Sequence, residues 1–375
     1  MKKMNNYLKQ LLDNLRASRE KAGLSPKDVE ELLILGPGWV TRFEKGEITP
    51  SIDVLLAILY ETGSTLSDLI ENLPDLSGAV GVERSIYAEQ IGRDITIHFR
   101  YASFDATYTL ENATVDEFGV VIKTLCDGLA QLAHADAESS DAVKADSVAQ
   151  AFLKAVEIWP DANPSDLWWF VIYRAYCDQF NHPAQFARLD FAQSWKRTSG
   201  WALEKVLVQH YGSFLAQHGV KLFIADESTK KALVEKLDVG DRLEADKIDV
   251  VLTGGQDEQF FGVVHVKASF AERRTDDVPM SRALIQAGYT SPLWTMDCKS
   301  TPAKRPRNRG ELGTSQGKRS AKRKDIEDEG YFTGCFSYNR NTQPSEAELA
   351  PECQVYVCDF NNPDDAFSRF ILEQW

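Results

Sequence analysis

The chain has 375 residues, of which 43% are hydrophobic and 26% charged. That much apolar content supports two or three packed domains and excludes disorder throughout. A net charge of -14 argues against nucleic-acid binding over the whole surface and leaves a local basic patch as the route to phosphates.

Residues 1–75 read as an all-α domain. LLDNLRASREKAG has apolar residues at helical spacing and stops at Gly23. Ser25-Pro26 gives the next helix a cap and an N1 proline. GPGWVTRFEKG is a third short helix, with Gly46 suited to a left-handed stop. SIDVLLAILYETG and TLSDLIENL close the unit. Val29, Leu32, Leu33, Val40 and Phe43 are expected to form a small core. Trp39, Thr41 and Arg42 are then left for the outer face, where a DNA-reading helix presents side chains to the major groove. Pro37-Gly38 is a departure, because two poor helix formers stand where such a helix should begin.

Residues 76–140 read as a small α/β or strand-containing linking region. DITIHFRYAS and ATYTLENATVDEFGVVIKTL alternate in strand fashion, and AHADAESSDAVKADS reads as an acidic loop. Residues 141–375 read as the main α/β domain. The helices AFLKAVEIW and SDLWWFVIYRAYCDQF precede a long one, GWALEKVLVQHYGSFLAQHG. VKLFIA, KIDVVLTG and EQFFGVVHVKAS are strands, the last two joined by a glycine-containing turn. SRALIQAG is helical, SPLWTMDCK, YFTGCFSYN and CQVYVCDF are strand candidates, and DAFSRFILEQW is a terminal helix.

The six cysteines form no CxxC pair and no structural-zinc spacing. MKKMNNYLKQLLDNL lacks the apolar stretch of a signal peptide, and no run reaches transmembrane length. The expected setting is cytoplasmic, with reduced thiols and no membrane partner.

Asp249 and the His265-Val266-Lys267 triplet carry the chemistry. In KIDVVLTG, Ile248, Val250 and Leu252 are expected on one side and Asp249 on the other. In GVVHVKA, His265 and Lys267 share a face. Pairing as a hairpin brings a carboxylate, an imidazole and an ammonium together. Phosphodiester hydrolysis uses such a set: acidic oxygens hold Mg²⁺, and a lysine orients water or stabilises developing charge.

This arrangement resembles the PD-(D/E)xK nuclease motif. Ile248 replaces the motif's proline, and His265 occupies its second acidic position. Histidine suits Mg²⁺ poorly, so a further carboxylate is expected. Glu204, in a helix placed like the first core helix of these nucleases, and Glu272, just after the lysine, are the two candidates, with Glu204 favoured. The expected catalytic set is Asp249, Lys267, Glu204 and His265. The expected Mg²⁺ ligands are Asp249 with Glu204 and Glu272.

SWKRTSGWALEKVL, DKIDVVL, FFGVVHVKASFAERRTDDVPMS and LWTMDCKSTP resemble type II restriction endonucleases of the BsaWI kind, relatives of enzymes that recognise CCGG cores. The resemblance implies that Arg273, Arg274, Asp276 and Asp277 contact bases. Arginine pairs with guanine O6/N7 and aspartate accepts from cytosine N4, which suits G·C pairs. It also implies a homodimer on double-stranded DNA, matching a two-fold site. LSPKDVEELL, VTRFEKG and Pro50-Ser51-Ile52 resemble the lambda-repressor-like helix-turn-helix family.

Basic residues dominate from Lys299 to Lys324, opposed only by Glu311. Lys304, Arg305, Arg307 and Arg309 are candidate phosphate contacts there. Asp297 and Lys299 repeat the acidic-x-lysine pattern and rank second as an active-site strand. The expected fold is α/β, a PD-(D/E)xK restriction-endonuclease-like core with an all-α helix-turn-helix N-terminal domain. The expected function is Mg²⁺-dependent cleavage of double-stranded DNA at a palindromic G·C-rich site containing CCGG. Two alternatives stand beside it. One is a helix-turn-helix regulator, in which Asp249 and Lys267 lie apart. The other is a nuclease-like reader of modified DNA that does not cut.

Overall fold

The computed structural model describes residues 2–48, 52–70, 84–101, 104–136, 139–177, 191–237, 248–269, 274–298, 308, 310–315, 317–346, 350 and 353–375. The chain divides into two compact units, Met1–Val82 and Glu83–Trp375.

The first unit is five helices: α1 (Lys2–Lys21), α2 (Pro26–Leu32), α3 (Trp39–Glu44), α4 (Ile52–Glu61) and α5 (Leu66–Ile70). Ser25 caps α2 in a reciprocal capping box with Asp28, and Pro26 occupies its first turn. Leu12, Leu15, Val29, Val40, Phe43, Ile58, Leu59 and Leu69 form the core. Leu32 is not part of it, being 53% exposed at the end of α2. The misfit at Pro37-Gly38 resolves in the backbone. Gly38 is the N-cap of α3 with φ +74°, a left-handed conformation that glycine adopts without steric cost. The buried Glu30 carboxylate accepts from Gly38 N–H at 3.0 Å and Val40 N–H at 2.9 Å, satisfying two open donors of α3. Arg19 clamps Glu44 at the other end of α3 at 2.6 and 3.1 Å.

The second unit opens with an antiparallel sheet of β1 (Arg84–Ile91), β2 (Asp94–Tyr101) and β3 (Phe104–Leu110). Helices α6 (Val115–Ala130), α7 (Ser140–Ile158), α8 (Pro164–Cys177) and α9 (Phe191–Gln217) follow. Two expectations change here. The strand-like run ends at Leu110, because Thr114 and Glu117 form a capping box that starts α6. The acidic loop is helical from Ser140, because Ala145, Val148, Ala149 and Phe152 recur at helical spacing and are buried. Ile95, Ile97, Tyr108 and Leu110 share one core with α7, α9 and the main sheet. Of the residues expected to form a separate linking region, those from Glu83 onward fall in the second unit.

The main sheet runs in order β4 (Val220–Phe223), β5 (Val250–Gly254), β6 (Gln259–Lys267), β7 (Leu293–Thr295), β8 (Cys335–Ser337) and β9 (Val355–Val357). Helix α10 (Glu227–Leu237) joins β4 to β5, and α11 (Arg274–Gln286) crosses from β6 to β7. The β4–β5–β6 ladder is antiparallel, and β6 to β9 are parallel. Helices α12 (Ala321–Glu327) and α13 (Ala366–Gln374) complete the unit. One face carries Val250, Leu252, Val264 and Val266 into the large core with α9. The other carries Val251 and Val263 against Met280 and Leu284 of α11. Ile248 packs on this second side. It had been expected beside Val250, but the strand begins only at Val250, so the alternation does not extend back to it.

Candidate active site

In the antiparallel β5–β6 hairpin, the start of β5 lies beside the end of β6. Asp249 directly precedes β5, and Lys267 is the last residue of β6. The two therefore meet, although 17 residues separate them in sequence. Asp249 Oδ2 accepts from Lys267 Nζ at 2.7 Å and from Val266 N–H at 2.8 Å. Both side chains are buried. A regulator reading that kept these residues apart does not fit this geometry.

A third charged group comes from α11. Asp277 sits one turn inside that helix with no exposed surface, and its Oδ1 lies 3.3 Å from Lys267 Nζ. Asp277, expected at a base, is buried beside Lys267 in this structure. The helix begins at Arg274, and Asp277, one turn in, turns its side chain toward the sheet. Two carboxylates thus flank one ammonium. Burying such a set without matching charge is costly. Carboxylate oxygens are the donors that Mg²⁺ and similar hard cations prefer. Among the described residues no group of three or more His, Cys, Asp or Glu side chains gathers as a metal site.

His265 lies on the same strand face but turns inward. It is fully buried, with Nε2 2.9 Å from Ser291 Oγ and its ring edge-on to Phe332 at 5.4 Å. Burial pushes its pKa down to about 4, so the ring is neutral at neutral pH. Nδ1 has no hydrogen-bond partner among the described residues. An imidazole enclosed in this way does not face solvent or a substrate.

The other sequence-derived candidates are distributed as follows. Glu204 is buried on α9, whose apolar residues pack with Val264 and Val266 on the opposite side of the sheet from Met280. Glu272 and Arg273 lie outside the described residues, as do Lys304, Arg305, Arg307 and Arg309. Arg274 and Asp276 lie in the first turn of α11. Thr41 and Arg42 are exposed on α3, whereas Trp39 is half-buried and packs on Phe43 at 5.5 Å. Trp39 therefore belongs partly to the core.

The later part of the basic stretch turns inward. Arg323 is fully buried and donates to Glu327 at 2.7 Å and to the Gln343 carbonyl at 2.8 Å. Arg319 pairs with Glu327 and Asp328, and Lys322 with Glu311. These cations knit the loop together and are spent internally. Asp297, the alternative active-site acid, is likewise engaged. Its Oδ1 accepts from Glu311 N–H at 2.6 Å and Leu312 N–H at 3.0 Å, and its Oδ2 from Thr342. Burial raises its pKa to about 6. Asp297 holds the chain after β7 and does not join the Lys267 cluster.

The chain has clear relatives. Residues 10–67 match the family model of a helix-turn-helix domain. Over 239 residues the chain is 42% identical to the type II restriction enzyme AgeI of Thalassovita gelatinovora, covering 61% of this chain and 84% of that protein. A 57-residue stretch is 37% identical to an uncharacterized HTH-type transcriptional regulator of Haemophilus influenzae, covering 15% of this chain and 58% of that protein. Among solved structures, the specific restriction endonuclease AgeI–DNA complex matches with a TM-score of 0.61 at 35% identity, over 77% of this chain and 99% of that one.

Proposed function

The chain belongs to the type II restriction endonuclease family, and from that premise we propose how its own residues cut DNA. It is a site-specific DNA endonuclease with a helix-turn-helix domain at its N-terminus. The proposed substrate is double-stranded DNA at a palindromic G·C-rich site containing CCGG, and the proposed cofactor is Mg²⁺. The observation that carries the reading is the buried meeting of Asp249, Lys267 and Asp277 at the hairpin end.

Asp249 and Asp277 are the proposed oxygen ligands, and Glu204 is proposed as a further carboxylate that does not gather with them in one preformed cluster. A divalent cation bound there supplies polarisation of the scissile phosphate and of a water nucleophile. Asp249 is held in place by the Val266 N–H. Lys267, fixed between two carboxylates, lies where its ammonium can stabilise charge developing on the phosphate. In the reaction a water oxygen bonds to phosphorus, one ester P–O bond breaks, and a proton passes to the leaving oxygen. Arg273, Arg274 and Asp276, around the start of α11, are the proposed base contacts. Lys304, Arg305, Arg307 and Arg309 are proposed phosphate contacts, and Thr41 and Arg42, exposed on α3, are proposed to face the major groove. Cutting both strands of a two-fold site calls for a homodimer.

The test is incubation of purified protein with mixed-sequence phage DNA, with and without Mg²⁺, followed by end mapping. The reading expects discrete Mg²⁺-dependent fragments whose ends share one CCGG-containing site. Mapped ends that share no CCGG would overturn the proposed site, and equal cleavage in a chelator would overturn the cofactor.

A further inference from the structure

Helix α11 meets the sheet through polar contacts at two levels. At the first, Asp277 faces Lys267 at 3.3 Å. At the second, Ser281 Oγ lies 2.8 Å from Ser291 Oγ, which lies 2.9 Å from His265 Nε2. The spacing of the two levels matches on both elements. Lys267 and His265 are two residues apart on one strand, hence about 7 Å apart on the same face. Asp277 and Ser281 are four residues apart on the helix, a rise of about 6 Å on one side. His265, Ser281, Ser291 and Asp277 are all fully buried. A buried hydroxyl or imidazole that loses its partner bears the full desolvation cost. Sliding or rotating α11 would break the second level, so that level fixes the register of the first.

We propose that the His265–Ser291–Ser281 chain is a positioning device that sets Asp277 against Lys267. His265 stands where the nuclease motif has an acidic ligand, yet it acts through α11 and not on the cation. This rests on the reading of Asp277 as a cation-holding carboxylate. The device also accounts for a histidine at a site whose metal favours oxygen. Its nitrogen is directed to a serine, and the carboxylate comes from the helix that this serine anchors.

The test is Mn²⁺ binding to the full-length protein, followed by the electron paramagnetic resonance signal of free Mn²⁺, which needs no turnover. Asp277→Asn is expected to weaken binding tenfold or more. Ser281→Ala and His265→Leu are expected to weaken it about tenfold, the scale on which groups supporting a metal ligand act. His265→Gln keeps a nitrogen near the Nε2 position and is expected to restore binding to near wild type. In an Asp277→Asn background, Ser281→Ala should add nothing further. Should Asp277→Asn weaken binding while Ser281→Ala and His265→Leu leave it intact, the positioning role falls and the Asp277 reading stands. Should Asp277→Asn bind Mn²⁺ as wild type does, that reading itself falls. An undiminished Ser281→Ala effect in the Asp277→Asn background would mean general loosening and overturn the proposal. Ser281→Ala carries the test alone if His265→Leu does not fold.

Discussion

Asp277→Asn separates two roles that the sequence and the structure give to one residue. The change keeps the shape and removes one charge from a buried cluster. Asp277 Oδ1 stands 3.3 Å from Lys267 Nζ. At that distance, and at an effective dielectric of about 20, a unit pair interacts by about 5 kcal/mol. Relief of desolvation and local relaxation return part of this, leaving roughly 2–3 kcal/mol; where Asp277 also holds the cation in the transition state, a loss of that size slows the chemical step about 30- to 150-fold. The assay pairs single-turnover cleavage at saturating enzyme with DNA binding measured in chelator. The expected outcome is a slower single-turnover rate with binding unchanged or slightly tighter, since a negative charge has left the site. A base-contact role predicts weaker cognate binding by about 1–3 kcal/mol. An unchanged single-turnover rate together with cognate-specific loss of binding would refute the active-site assignment.

Further outcomes concern other parts of the molecule. Glu204→Gln is expected to slow cleavage with less loss than Asp249→Asn; equal cleavage to wild type removes Glu204 from the ligand set. Gly262→Ala places a methyl group against the Thr290 side chain and carbonyl where β6 meets the following strand segment. Such overpacking is expected to cost about 1–3 kcal/mol in denaturant unfolding, and an unshifted midpoint would contradict the packing described. Burial pushes His210 and His265 down to about 4. Below the unfolded value of 6.5 the unfolded chain takes up protons that these native rings refuse, so stability falls as pH drops from 6.5 toward 4. Asp297, pushed up to about 6, works in the opposite sense between 6 and 3.8 and offsets part of this. Thermal melts of His210→Phe should show a shallower loss over the acid range, and an unchanged slope would argue against the buried neutral ring.

The hairpin half of the site was legible because strand alternation fixes faces. Once KIDVVLTG and GVVHVKA are read as neighbours, Asp249 and Lys267 have to converge. Asp277 was read as a base contact because its neighbours are charged. ERRTDD resembles a solvated, DNA-facing run, and its charge hides the start of a helix within it. A signal was present further on. Asp277, Met280, Ser281 and Leu284 recur at helical spacing, and all four are buried. A carboxylate at the head of such a stripe points inward. The start of α6 was missed for a related reason: strand-like alternation masked the Thr114–Glu117 capping box. The pairing of Arg323 with Glu327 is an i,i+4 pair that the sequence offers, whereas Lys322 with Glu311 joins residues that meet only once the loop has folded.

The most direct test of the central claim is cleavage of a mapped DNA site by wild type, Asp249→Asn and Lys267→Ala in Mg²⁺, with DNA binding measured in parallel. Discrete cleavage by wild type, lost in both variants while binding persists, is the predicted result. Full activity in purified Lys267→Ala would contradict it and move the active site away from the β5–β6 hairpin.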